Sequence, residues 1–320
     1  MDTERIYRTH DELEEIAFAE LDCNDLKAVR DYVEITRHLQ EIHSLFLIFK
    51  FQIELMQKEY ILMNDGKVFF NEHPANREED YIAINAYVTN IISAGKTLVE
   101  AMDCFINMDY PPCDSGYKQE YLDYYHGIYD SSFAYRFMIR LRDYAQHGHL
   151  PVDNEKNSFC FNLINILKKP HYNQNKTLQK QMTQVADEVM DVYDDIPTLS
   201  LTLTLAEFVS KLLFIYQRFW TAVEESLLEA QKNSQEVLGK YPENIMNASA
   251  VFPGYFIYEV IDGWAHAINI ADDSISMFSQ FKIEAQDICD EYATAWSELT
   301  KETLKIRYVD KKRIEIELIE

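Results

Sequence analysis

From Arg77 to Met108 an apolar residue recurs every three or four positions, and no proline interrupts the run. Ile84, Val88, Ile91, Gly95, Leu98 and Met102 fall on one stripe, a pattern that predicts a long helix burying one face. Gly95 lies on that stripe, where it weakens the helix but lets a neighbouring helix come close. The tetrapeptide Ala94-Gly95-Lys96-Thr97 superficially matches a phosphate-binding loop. That loop needs a glycine at position 90, which is Asn90, and a strand before it; the helical periodicity runs straight through instead.

The rest of the chain repeats this helical bias. Only eight Gly and eight Pro occur in 320 residues, too few breakers for a turn-rich β fold. Asp11–Arg37 reads as helical with a break at Asp22–Asp25, and Gln40–Met63 as an apolar continuation. Asn64-Asp65-Gly66 signals a turn, and Lys67–Phe70 a short strand or extended loop. Tyr117–Tyr129 reads as a short helix, followed by one that Asp130 or Ser131 can cap. Ser158–Leu167 partly alternates and is expected to be a strand; Leu178–Tyr193 is helical. Leu199–Thr204 alternates like an extended segment, and Thr204 with Glu207 has capping-box spacing before a helix running to Gly239. Its core stripe is Phe208, Leu212, Ile215 and Phe219. Pro242, Pro253 and Gly254 make Tyr241–Gly254 the expected boundary. Helices are expected through Ile257–Ile270 and Phe281–Leu299, and a strand over Arg313–Leu318. The expected fold is therefore mainly α, an up-and-down helical bundle with minor β: short strands and a C-terminal strand.

Charge narrows the functions available. The formal net charge of −24 repels polyanions at long range, so any nucleic-acid contact must be local. The five cysteines are scattered and never in CxxC spacing, as in a reduced, cytoplasmic protein rather than a disulfide framework or zinc site. No apolar run approaches the roughly 20 residues of a membrane span, and the polar, acidic N-terminus is unlike a signal peptide. Glu78-Glu79-Asp80, Asp194-Asp195 and Asp272-Asp273 read as solvated helix faces, so neither a metal nor another cofactor is expected. His43, Trp264 and His266 read as core residues on apolar helices.

Against that acidic background stands Tyr135–Val152, which concentrates Arg136, Arg140, Arg142, His147 and His149 with Asp143 alone opposing them. On an ideal helix Arg136, Arg140 and His147 lie within about 40° of one another, whereas Arg142 lies about 140° from His147. Arg142 and His147 can act together only if the helix deforms or ends between them, or if a second subunit brings the pair into one cleft. Gly148 and Pro151 place that end near His147. Tyrosines from Tyr110 to Tyr144 could stack on unpaired bases, although aromatic stripes are more often core.

Arg142-Asp143-Tyr144-Ala145-Gln146-His147 resembles the signature of the HEPN superfamily, an arginine followed by a polar residue and, a few positions on, a histidine. The wider Leu141–Val152 wording, and the upstream helix with Asn85 and Asn90, are similar to the same family. The resemblance implies an all-α bundle over residues 1–240; the residue pattern makes 241–320 a C-terminal helical segment ending in a strand. It further implies a homodimer in which two Arg–His pairs meet in a cleft, RNA as substrate, and metal-independent endoribonuclease activity of toxin or phage-defence type. An antitoxin or regulatory protein would be a natural partner. In that chemistry His147 is the general acid or base, Arg142 holds the scissile phosphate, and Asp143 orients the pair. Arg140 with His147, and Arg142 with His149, satisfy the same loose spacing; Arg140, His149 and Arg136 are the secondary candidates. The contrasting expectation is a catalytically silent module of the same fold, recruiting a protein partner through its acidic surface.

Overall fold

In a computed structural model, residues 5–9, 15–20, 23–64, 67–70, 78–108, 115–155, 158–169, 175–193, 197–240, 255–261, 264–270, 280–288, 290, 305–310 and 313–317 are described. The fold is mainly α with minor β. The helices are α1 (Cys23–Tyr60), α2 (Glu78–Ile106), α3 (Ser115–Ser131), α4 (Phe133–Gln146), α5 (Leu163–Leu167), α6 (Lys176–Tyr193) and α7 (Leu201–Leu238), with a further helical stretch at 280–288. Among the described residues no helix is long and apolar enough to cross a membrane. The chain divides into two compact units: Met1–His43 with Cys104–Gln119 and Trp220–Ile283, and Ser44–Asp103 with Glu120–Phe219 and Glu284–Glu320. The boundary expected at Tyr241–Gly254 lies outside the described residues.

The first unit contains an antiparallel sheet of β1 (Arg5–Thr9), β2 (Glu15–Glu20), β8 (Tyr255–Ile261) and β9 (Trp264–Ile270), in the order β2-β1-β8-β9. Two expectations are corrected here. Ile257–Ile270 is a β-hairpin, with Tyr258 opposite Ala267, rather than a helix. Its sequence holds the reason: two β-branched and aromatic runs flank Asp262-Gly263, the dipeptide that favours a two-residue hairpin turn. Likewise Glu15–Glu20 is a strand rather than part of a helix, its short apolar run Ile16–Ala19 pairing antiparallel with β1. Trp264 and His266 therefore belong to a strand. His43 is buried as expected and stacks on Phe281, with ring centroids 3.7 Å apart and planes at 10°.

The second unit carries the residues of interest. Ile84, Val88, Ile91, Leu98 and Met102 of α2 are fully buried, as are Phe208, Leu212, Ile215 and Phe219 of α7. Between them sits Gly95. A Cβ there would lie 2.8 Å from Leu212 Cδ1, 3.0 Å from Phe208 Cζ and 3.1 Å from Phe49 Cε2, so α1, α2 and α7 approach through the space a side chain would fill.

Element ends moved where local hydrogen bonds beat periodicity. α1 stops at Tyr60, and Ile61–Asn64 pairs as β3 with β4 (Lys67–Phe70). β5 (Asp153–Glu155), β6 (Ser158–Asn162) and β7 (Thr198–Ser200) form a three-stranded antiparallel sheet. The strand expected over Ser158–Leu167 ends at Asn162 because its side chain accepts from the Asn165 N–H and caps α5. The extended segment at Leu199–Thr204 is likewise shorter than expected. Helix α7 begins at Leu201, with the Ser200 hydroxyl accepting from the Leu203 N–H at 3.4 Å, so the capping box at Thr204 and Glu207 lies inside the helix. The C-terminal strand is present as β11 (Arg313–Glu317), paired with β10 (Lys305–Asp310). Residues 280–288 begin the helix expected over Phe281–Leu299; 291–299 lie outside the described residues, as do Asp194-Asp195 and Asp272-Asp273.

Two measurements test this packing. Gly95→Ala should lower stability by about 1–3 kcal/mol in urea melts, because overpacking outweighs the roughly 1 kcal/mol gained in helix propensity. Stability should also fall with alkali. Burial, then the Asp153 charge and Tyr81, pushes the Tyr144 phenol up to about 12, and burial raises Tyr121, Tyr125 and Tyr135 as well. The folded state keeps these protons while the unfolded chain releases them near pH 10. Their contribution is therefore complete below about pH 10 and lost as pH rises through the folded values. A denaturation series from neutral pH upward should show the decline beginning there.

Candidate functional site

Helix α4 is built from both ends. Its N-cap is Ser132, two residues beyond Asp130 and one beyond Ser131, the expected caps; the Ser132 hydroxyl accepts from the Tyr135 N–H at 3.0 Å and donates to Glu207 Oε1 at 2.5 Å. The carboxylate expected to cap its own helix α7 thus anchors the start of α4. Phe137, Met138 and Leu141 are fully buried, and Tyr135 stacks on Phe208 at 5.8 Å.

At the other end the helix stops at Gln146. His147 is its C-cap, with φ −87° and ψ 18°, and its N–H donates to the Asp143 carbonyl. Gly148 follows at φ +81°, the left-handed conformation glycine adopts without a Cβ penalty, and donates to the Ala145 carbonyl at 3.1 Å. The chain is then held by a side chain that imitates a strand partner. Asn85 of α2, buried, accepts from the Val152 N–H at 2.8 Å and donates to the Val152 carbonyl at 3.1 Å. Between these pins His147 is exposed, while His149 packs its ring against Tyr144 at 4.8 Å.

The arginines separate by environment. Arg136 is buried and donates to the carbonyls of Tyr129 (3.0 Å) and Asp130 (3.3 Å) at the end of α3, and to Gln181 Oε1 at 2.8 Å. That is a joint between α3, α4 and α6. Arg140 is exposed and donates from Nε to the Tyr129 hydroxyl at 3.1 Å. Arg142 keeps part of its surface, with Nη1 3.9 Å from Glu100 Oε2. The Gln146 amide oxygen, in the orientation that satisfies both groups, accepts from Arg142 Nε at 3.2 Å and Nη2 at 3.3 Å. Asp143 accepts from Lys96 Nζ at 3.4 Å, and Lys96 also lies 3.8 Å from Glu100.

Arg142 and Asp143 are thus brought into one alternating network with Lys96 and Glu100, and His147 stands at the helix end beyond them. Exposed pairs of this kind each contribute about 0–1 kcal/mol, so the network orients side chains more than it holds helices together. From sequence, Lys96 figures only in the rejected phosphate-loop match, and Glu100 and Gln146 have no assigned role. Lys96 and Glu100 do carry the i, i+4 spacing of one helix face, but which helix that face meets is a tertiary fact. Among the described residues no three His, Cys, Asp or Glu gather as a metal site. The tyrosines divide: Tyr121, Tyr135 and Tyr144 are buried, whereas Tyr117 and Tyr124 are exposed.

No family model, curated protein or solved structure matches this chain.

Asn85→Ala should cost about 2–4 kcal/mol, since it leaves a buried N–H and carbonyl of Val152 without their partner. Hydrogen exchange at the Val152 amide should quicken more than exchange in the middle of α4.

Proposed function

We propose that the end of α4 is the catalytic centre of a metal-independent, HEPN-like endoribonuclease of toxin or phage-defence type that works as a homodimer. The observation that carries this reading is the termination of α4 at His147. The imidazole stands exposed at the helix end beyond a partly exposed guanidinium, and because residues 142–146 are all helical the pair needs a second copy to bring Arg142 and His147 to one phosphate.

In the reaction, Arg142 binds the non-bridging oxygens of one phosphodiester and stabilises the charge that grows there. His147 accepts the proton of the adjacent 2′-hydroxyl. The 2′-oxygen forms its bond to phosphorus as the bond to the 5′-oxygen breaks, and an acid returns a proton to that leaving oxygen. The products are a 2′,3′-cyclic phosphate and a 5′-hydroxyl. Glu100 competes with the phosphate for Arg142, and Asp143, held by Lys96, keeps the helix end in register.

A second reading is favoured by the same pairing. With Arg142 already engaged by Glu100 and Gln146, the segment can instead be structural. The protein is then a silent module that recruits a protein partner through its acidic surface.

Incubating the protein with single-stranded RNA in EDTA separates the two. The catalytic reading expects cleavage to cyclic-phosphate ends, a fall of about a hundredfold or more in His147→Ala and Arg142→Ala, and a rise in kcat/KM for Glu100→Gln. His147→Ala should melt like the parent because its side chain is exposed. Uncut RNA, or equal cutting by parent and both alanine variants, would leave the silent module as the surviving reading.

A further inference from the structure

Helix α1 carries an apolar stripe that the second unit leaves uncovered. Leu47, Ile48 and Phe51 expose 44%, 51% and 55% of their surface, although Phe46, Phe49, Ile53 and Met56 on the same helix are buried. Three large apolar side chains side by side, each about half exposed, are a surface soluble chains normally cover.

We infer that this face of α1 pairs with the same face of a second copy, antiparallel, with Phe51 on the twofold axis. The stripe is its own complement. At about 100° per residue, Leu47 and Leu55 lie about 40° to either side of Phe51, and Ser44 and Lys58 about 20° to either side. Reversing the helix about Phe51 therefore sets Phe51 against Phe51, Leu47 against Leu55 and Ser44 against Lys58. An isologous interface requires this symmetry, since each surface must fit itself.

The charges agree. Lys50 and Glu54 share one flank of the stripe and lie 3.4 Å apart within the chain. In an antiparallel pair the same flanks of the two helices adjoin. The second copy's glutamate then falls about 3 Å along the axis from Lys50, and the reciprocal pair forms on the other side of the twofold. Reversal thus places opposite charges together. This surface does not rest on the end of α4, but the proposed ribonuclease is also a homodimer: a monomeric parent counts against both, an α1 dimer that leaves RNA uncut supports this surface alone, and cleavage by a dimer indifferent to the α1 changes removes it alone.

Sedimentation of the full chain from micromolar to submillimolar concentration tests it. The parent should dimerise, and Phe51→Glu should associate at least about thirtyfold more weakly, as for loss of a central aromatic anchor, with its circular dichroism and melting unchanged. Lys50→Glu alone and Glu54→Lys alone should each weaken the dimer, and combining them should restore it. That exchange keeps the test decisive if Phe51→Glu misfolds. A parent that stays monomeric throughout, or a dimer indifferent to both Phe51→Glu and the charge exchange, would overturn the inference.

Discussion

The second unit depends on one close approach. At Gly95, α2 meets Phe49 of α1 and both Phe208 and Leu212 of α7 so closely that a Cβ there would force these side chains to give way. Everything around the candidate site is hung from that contact. Phe208, which faces Gly95, also stacks on Tyr135 of α4, so the position of α7 fixes that of α4. The helical cost of a mid-helix glycine is small beside the dispersion and burial gained when three apolar helices interlock.

Polar contacts then set where α4 begins and ends. Glu207 on α7 takes the hydroxyl of the N-cap Ser132, and Arg136 gathers the terminal carbonyls of α3 together with Gln181 of α6. Asn85 holds Val152 beyond the C-terminus. These are buried or half-buried bonds whose loss leaves groups unsatisfied, so they are more consequential than the exposed ion pairs nearby. Their joint effect is to present His147 at a helix end fixed on both sides. Because the chain carries a net charge of −24, RNA bound as proposed would have to be captured by local contacts, with Glu100 and Asp143 tempering Arg142 and Lys96.

Much of this was legible. The period of α2 and α7 named their buried stripes residue by residue, because a packed helix can hide only one face. The close approach at Gly95, the helix end near His147 and the strand at Arg313–Glu317 follow from the sequence for similar reasons. The errors also share a cause. Ile257–Ile270 and Glu15–Glu20 are short apolar runs in which helix and strand patterns overlap, and pairing partners far along the chain decide between them: β1 pairs with both β2 and β8. The cap of α4 and the start of α7 were displaced by one and a few residues because several Ser, Thr and Asp side chains compete for each helix terminus.

By itself, then, the sequence determined what is local and periodic: mainly helical structure, the identity of the core stripes, and a cationic helix end carrying Arg142 and His147. Only the tertiary structure decided which of the five cationic residues keep their chemistry available. Arg136, equal to the others in sequence, is consumed as a buried joint, and Arg142 and Asp143 are shared with Lys96 and Glu100. The reason is physical: a side chain's charge and position follow from its own residue, but its partners come from whichever distant helix the packing brings alongside.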